Sequence, residues 1–430
     1  MSAVLDFPVK PEARPYLEAF GRTNSGEPEW LSRERQRALS RFAELGFPSR
    51  RSENWRYLDL QPLQREPLLP GKPGRDVQVP AELQMDGTGA RLILIYGHCD
   101  GAVRDLPQGV WLASMRRAIE ERPDLVRAAS RGEVDAEHPF DALNAAYFTD
   151  GFVLDIAPGV VLDQPIQIVH FASARGAVHT RNVIRLGEGS RATILETYTG
   201  EGRYWRNDVV AVRLGARAEL TRAVLVEEAG EAVHLAELDA TLGTEARFSG
   251  FALLIGGGTV RHEASVRMTG EGAQCRLDGA FVVGGNEEAN IVTNVDHQVP
   301  HGETREMIKG VAAGRAHGAF QGKIIVREHA QKVDAHQLSR NLILGGRAVI
   351  DTKPELEIYA DDVKCSHGAS VGELDETALF YLRSRGIPDA EARHMLVEGF
   401  LREPVEEIAD PALREHLLRR LARRLERLEG

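Results

Sequence analysis

Trp30, Leu31, Leu39, Phe42 and Leu45 are spaced to share one face of a helix, and Gly46 with Pro48 marks its end. Residues 1 to about 60 therefore read as helical in pieces. The segment PLLPGKPGRDVQVPAEL, 67–83, is rich in Pro and Gly and reads as a linker of rigid turns. A strand, RLILIYG, follows from Arg91. Between Leu112 and Tyr147 the spacing of Met115, Ile119, Leu125, Leu143 and Phe148 predicts short helices broken at Pro123 and Pro139.

From about residue 151 the pattern changes to short β-rich runs such as RATILET and VVAVRL, punctuated by glycine. Leu186-Gly187, Leu214-Gly215 and Leu242-Gly243 recur at intervals of 28, and Thr269-Gly270 follows 27 later. Such self-similarity marks a solenoid. Each period holds two alternating strands and turn glycines, enough for one coil of a parallel β-helix whose neighbours satisfy its backbone hydrogen bonds. A β-sandwich has similar strand lengths, but its hairpins do not predict a near-constant register over three consecutive intervals. The expected organisation is an N-terminal helical region and linker (1–90), a mixed lead-in (91–150), a β-helix core (151–370) and a C-terminal helical region (371–430).

After Ser370 the helical period returns through Leu379, Leu382, Leu396, Val397, Phe400 and Leu401. A last helix is predicted with Asp410 as cap and Pro411 at its first position. Leu413, Leu417, Leu421, Leu425 and Leu428 form its apolar stripe, beside six arginines and three glutamates in 411–430. The pattern fits a helix packed on its own domain as well as one that docks a partner.

The composition, 43% hydrophobic and 27% charged over 430 residues, is that of a globular protein. A net charge of −11 argues against nucleic acid as the main partner. Charged residues scatter through the first twenty positions and no apolar run approaches membrane-spanning length, so a cytoplasmic protein is expected. Three cysteines, Cys99, Cys275 and Cys365, make no disulfide framework and point to free thiols in a reducing compartment.

Two glycine-rich stretches fail as nucleotide sites. In GAFQGKI, 318–324, the first glycine stands one residue too close to Gly322-Lys323, and Ile324 replaces the Mg²⁺-binding hydroxyl. Gly256, Gly257 and Gly258 follow a strand without a dinucleotide pattern and are better read as a solenoid corner. The histidine pairs His297 with His301, and Asp334 with His336, have spacings that metals tolerate. Pro300 denies the first pair a clean helical face, and surface or hydrogen-bonded histidines are the simpler reading of both. Cys365 and His367 are better placed, since residues two apart on a strand project to the same side. Two donors are too few for a structural metal site, so further ligands must come from elsewhere, another chain included. His367 would also be placed to lower the thiol pKa. On spacing alone the commoner case is a small buried thiol at Cys365 with His367 a turn residue beside Gly368.

The run TKPELEIYADDVKCSHGASVGELDETALFYLRSRGI, 352–387, resembles the signature of the SufB/SufD family of iron–sulfur cluster assembly proteins. The resemblance extends through VPHGETREMIKGVAAGRAHGAFQGKIIVREHAQKVDA, 299–335, and GFPSRRSENWRYLDL, 46–60. It implies a mainly β fold, a right-handed parallel β-helix flanked by N-terminal and C-terminal α-helical regions. Within the family the chain is similar to the SufD branch, because Ala348 stands where SufB carries its assembly cysteine, whereas YADDVKCSHGA, 359–369, follows the SufD pattern. Gly302 and Ser339 depart from residues frequent in relatives, against a metal role for His301.

The resemblance implies a scaffold without catalysis of its own, pairing with SufB and docking the ATPase SufC through residues 371–430, with a homodimer left open where SufB is absent. Iron or a nascent iron–sulfur cluster would be held transiently at the SufB contact by His367, with Cys365. A flavin is associated with such complexes, but these residues carry no flavin motif. The alternative from another class is a β-helix carbohydrate-active enzyme or glycan-binding protein, which the 6% aromatic content does little to support.

Overall fold

The computed structural model describes residues 9–20, 27–71, 79–101, 103, 106–128, 138–173 and 175–429. Its body is a parallel β-solenoid of about eight turns. Two sheets form its walls, one running from Ala90–Ile95 to Lys364–Gly372 and the other from Val110–Ser114 to Val349–Ile358. The strand read from Arg91 is thus the first parallel strand of one wall. Alternate strands of the chain stack in register, so that Leu186, Leu214, Leu242 and Met268 form one inward column. The 28-residue interval is one coil.

The repeated glycine follows from how closely the coils meet at this corner. A Cβ on Gly215 would lie 2.9 Å from Glu188 N, and one on Gly270 only 1.9 Å from Thr244 N. Backbone here meets backbone, and backbone cannot step aside as a side chain can. Gly215→Ala is therefore expected to cost about 2 kcal/mol in a denaturant titration, whereas Gly230→Ala, with nothing near its Cβ, should leave the midpoint unchanged. Gly256 to Gly258 also form a corner, where Gly257 takes a φ of +111° that favours glycine.

The helix Glu29–Leu45 buries Leu31, Leu39 and Phe42, and ends where the Gly46 N–H donates to Phe42 O at 2.7 Å. Its apolar face joins Tyr16, Phe47, Phe140 and Trp205 in an aromatic cluster against the solenoid wall. Pro123 and Pro139 open helices, Pro123–Ala128 and Pro139–Tyr147, instead of interrupting them, since a first-turn N–H needs no helical partner. Of the expected linker, 72–78 lie outside the described residues, while Ala177 N–H donates to Leu69 O at 2.8 Å and Leu83 is buried.

At the other end, the helices Glu376–Ser384 and Asp389–Glu406 precede the terminal helix Pro411–Glu429, whose Leu413 N–H donates to Asp410 at 2.8 Å. Leu413, Leu417, Leu421 and Leu425 are buried against the outer face of one sheet, among Leu195, Leu225, Leu253, Val282 and Val311 from five successive coils. Arg420 and Arg424 pair with Glu227 and Glu287 of the solenoid. The stripe is spent inside the chain and is not free for a partner. Phe380, Tyr381 and Met395, on the two preceding helices, are instead exposed, at 72%, 56% and 45%. Among the described residues no helix is long and apolar enough to cross a membrane.

The interior of the solenoid is not uniformly apolar. Arg206 Nε donates to Glu228 at 2.6 Å, His234 Nδ1 lies 3.0 Å from the same oxygen, and Tyr204 donates to the other. Arg222 Nε reaches Glu196 at 2.6 Å, and Tyr198 bridges Glu196 and Asp208. Burial would push the Glu228 carboxyl up, but Arg206 and His234 outweigh it and hold the group down at about 2.

Candidate site at the open end of the solenoid

The terminal strand Lys364–Gly372 pairs only with Asp334–Ile343, and the penultimate strand Val349–Ile358 only with His317–Val326. Their other edges carry backbone N–H and C=O groups with no partner strand among the described residues, a ready template for a further strand. Cys365 lies in register over Ala335, and His367 over Gln337. Cys365 is half-buried at the rim of the interior cluster that holds Val333, Ala335 and Ala360. His367 follows it on the same inward face, about 7 Å along the strand. No coil covers it, and it is exposed.

Burial pushes the Cys365 thiol up and the Asp334 charge adds to this, against a backbone hydrogen bond at Ala335. The thiol is therefore protonated at neutral pH, and the expectation that His367 lowers its pKa is not realised. His367 makes no hydrogen bond or ion pair among the described residues. Nor do any three His, Cys, Asp or Glu side chains stand together to hold a metal ion among them. One imidazole and one thiol face an open edge, and additional donors have room to enter only from beyond it. The other two thiols are packed away, Cys275 in the interior and Cys99 donating to Gly151 O at 3.2 Å.

The remaining histidines do not converge. His297 is buried 2.9 Å from Thr304 Oγ1, and desolvation drives its pKa down to about 4, so it is a neutral core residue. A Cβ on Gly302 would lie 2.4 Å from the His297 ring, which explains why glycine occupies that departure position. His301 sits exposed in a turn at φ +61°, 3.8 Å from Glu271, well separated in role from His297. His336 lies on the outward face, bridging Asp334 at 2.9 Å and Ser366 at 2.5 Å. Ser339 is buried and accepts from Asn341 at 2.9 Å. Ala348 is half-buried just before the penultimate strand. Lys323 lies inside a strand and pairs with Glu357 at 2.5 Å, with no phosphate loop around it.

Sequence reasoning passed over two interior residues below His367. Glu306 and Gln337 occupy consecutive coils of the same inward column and are buried. Their only signal is spacing, since 306, 337 and 367 stand about one coil apart.

A family model described as the SUF system FeS cluster assembly SufBD core domain matches residues 169–400, and one described as the SufBD protein N-terminal region matches 15–67 and 96–168. The iron-sulfur cluster assembly protein SufD of Escherichia coli is 29% identical, over 91% of this chain and 92% of its own length. That of Bacillus subtilis is 27% identical over 95% and 97%. An iron-sulfur cluster assembly SufBD family protein of Mycobacterium bovis is 32% identical over 73% and 82%. With the core match spanning more than half its length and both walls of the solenoid in place, the chain belongs to the SufB/SufD family of iron–sulfur cluster assembly proteins, and within it is most like SufD.

Proposed function

We propose that this chain is the non-catalytic half of a cluster-assembly scaffold, joining SufB through its open strand edges and offering His367, with Cys365, to iron or a nascent cluster at the seam. The observation that carries this reading is the position of His367 on the uncovered inward face of an edge strand. A partner adding strands there would satisfy the bare backbone groups and bring its own donors beside an incomplete set. Without SufB the same edges are open to a second copy of this chain. Iron is cargo in this scheme, bound in passing.

The helices Glu376–Ser384 and Asp389–Glu406 supply the second contact. Phe380, Tyr381 and Met395 are large apolar side chains held in water, an arrangement that favours cover by a partner such as the ATPase SufC. ATP hydrolysis would be supplied by that partner. The family match leaves the carbohydrate-active alternative without support.

His367→Ala tests the ligand role. The histidine is exposed, so the variant should fold and still copurify with SufB and SufC, while cluster formed on the complex falls about tenfold or more. Unchanged cluster yield on an intact complex would end the proposal.

A further inference from the structure

The inward column that ends at His367 can be followed downward, His367 over Gln337, Gln337 over Glu306, and Glu306 over Leu277. Glu306 and Gln337 are each only 3% exposed. Gln337 Nε2 donates to Glu306 Oε2, and Thr293 Oγ1 donates to the same oxygen at 3.2 Å. The amide is clamped from the opposite wall too, since its nitrogen occupies the place a side chain on Gly322 would need. With the nitrogen fixed toward Glu306, the amide oxygen is turned away from it. That oxygen is buried and has no hydrogen-bond partner. The next coil in that direction is the terminal strand, with His367 in register about 4.8 Å above.

We propose that Glu306 and Gln337 are positioning residues for His367. The carboxyl fixes the Gln337 amide; when the exposed His367 ring turns down over it, the unpartnered Gln337 Oε1 accepts one ring N–H and the other ring nitrogen keeps its lone pair toward the seam for a divalent cation. This rests on the reading of His367 given above and extends it one shell inward. A histidine that binds a metal through one nitrogen is ordinarily oriented by an acceptor on the other, and here the chain builds that acceptor from within its own lumen.

Glu306 gives the device a dependence on pH. Burial pushes its carboxyl up to about 7, with Asp278 adding and the bonds from Gln337 and Thr293 opposing. The groups that face it, Thr293, Gly322, Gln337 and Leu277, are uncharged; Cys275 and the Asp278–Arg276 pair are the nearest titratable or charged ones. Two coils, roughly 10 Å, separate Glu306 from His367, so its ionisation should raise cation affinity there on the order of tenfold.

The test uses the full chain, alone and copurified with SufB, with Co²⁺ as the probe. Ring nitrogen spectra of histidine-labelled chain, assigned with His367→Ala, should show one neutral tautomer for His367 at about pH 8. Gln337→Leu keeps the bulk but removes the acceptor, so it should mix the tautomers and weaken Co²⁺ binding about tenfold, along with a lower melting temperature because Glu306 loses a donor. Glu306→Gln retains an oxygen for Gln337 Nε2 and should keep the tautomer while flattening the rise of Co²⁺ affinity between about pH 6 and pH 8. A wild-type tautomer and affinity in Gln337→Leu, or an unchanged pH profile in Glu306→Gln, overturns the proposal. Should Gln337→Leu fail to fold, the Glu306→Gln profile alone decides. Full Co²⁺ affinity in His367→Ala would sink the seam reading itself, a separate outcome.

Discussion

Glu228→Ala should destabilise the chain by about 4 kcal/mol, because it leaves the Arg206 guanidinium without its carboxylate in the middle of the solenoid. Arg206 is fully buried, and its other contacts, to the carbonyls of Thr199 and His170, do not neutralise it. Stripping one member of a buried pair costs more than the pair itself contributes, since both charges were taken out of water to form it. The double variant Arg206→Met with Glu228→Leu should therefore recover part of the loss, the remainder being the buried Tyr204 hydroxyl and His234 ring left without Glu228. Denaturant midpoints of the three proteins check this, and a double variant no better than Glu228→Ala would show that the pair acts through shape instead of charge.

Glu306→Gln should have the opposite sign, and only at high pH. Its folded carboxyl, near 7, lies above the ordinary value of 4.5, so the contribution it makes is whole below about pH 4.5 and is lost as pH rises through 7. At 1.36 kcal/mol per pH unit the loss approaches about 3 kcal/mol by pH 8. An amide has no such loss. The Gln variant should match the parent at about pH 5 and exceed it by up to about 3 kcal/mol at about pH 8. Equal differences at both would mean that Glu306 is already ionised when folded.

The repeat, the helix ends at Gly46 and Asp410, and the placement of Cys365 and His367 on one side of a strand were legible, because each rests on neighbours close in sequence or on a fixed interval. The lumen was not. In YWRNDVVAVRL, 204–214, polarity would turn Arg206 and Asp208 toward water and hide Trp205, yet alternation places the charged residues on the inward face with Val210, Val212 and Leu214. Trp205 faces outward and is buried only because the N-terminal helices cover it. The ions tolerate the interior because partners on adjacent coils meet them, Glu228 for Arg206 and Glu196 for Arg222, each 22 to 26 residues away. Opposite charges one coil apart were the available signal. The terminal helix was ambiguous for a related reason, since its stripe shows that something covers it but not whether that surface is the chain's own.

That helix changes how the molecule comes apart. A stack whose coils touch only their neighbours would fray from its ends, one coil at a time. Here the last two helices lie like a splint across five coils, riveted by their apolar faces and by Arg420 and Arg424. No coil beneath them can melt without lifting the whole splint. The terminal strand at the open end, where His367 sits, lies beyond the five splinted coils and can breathe without lifting them.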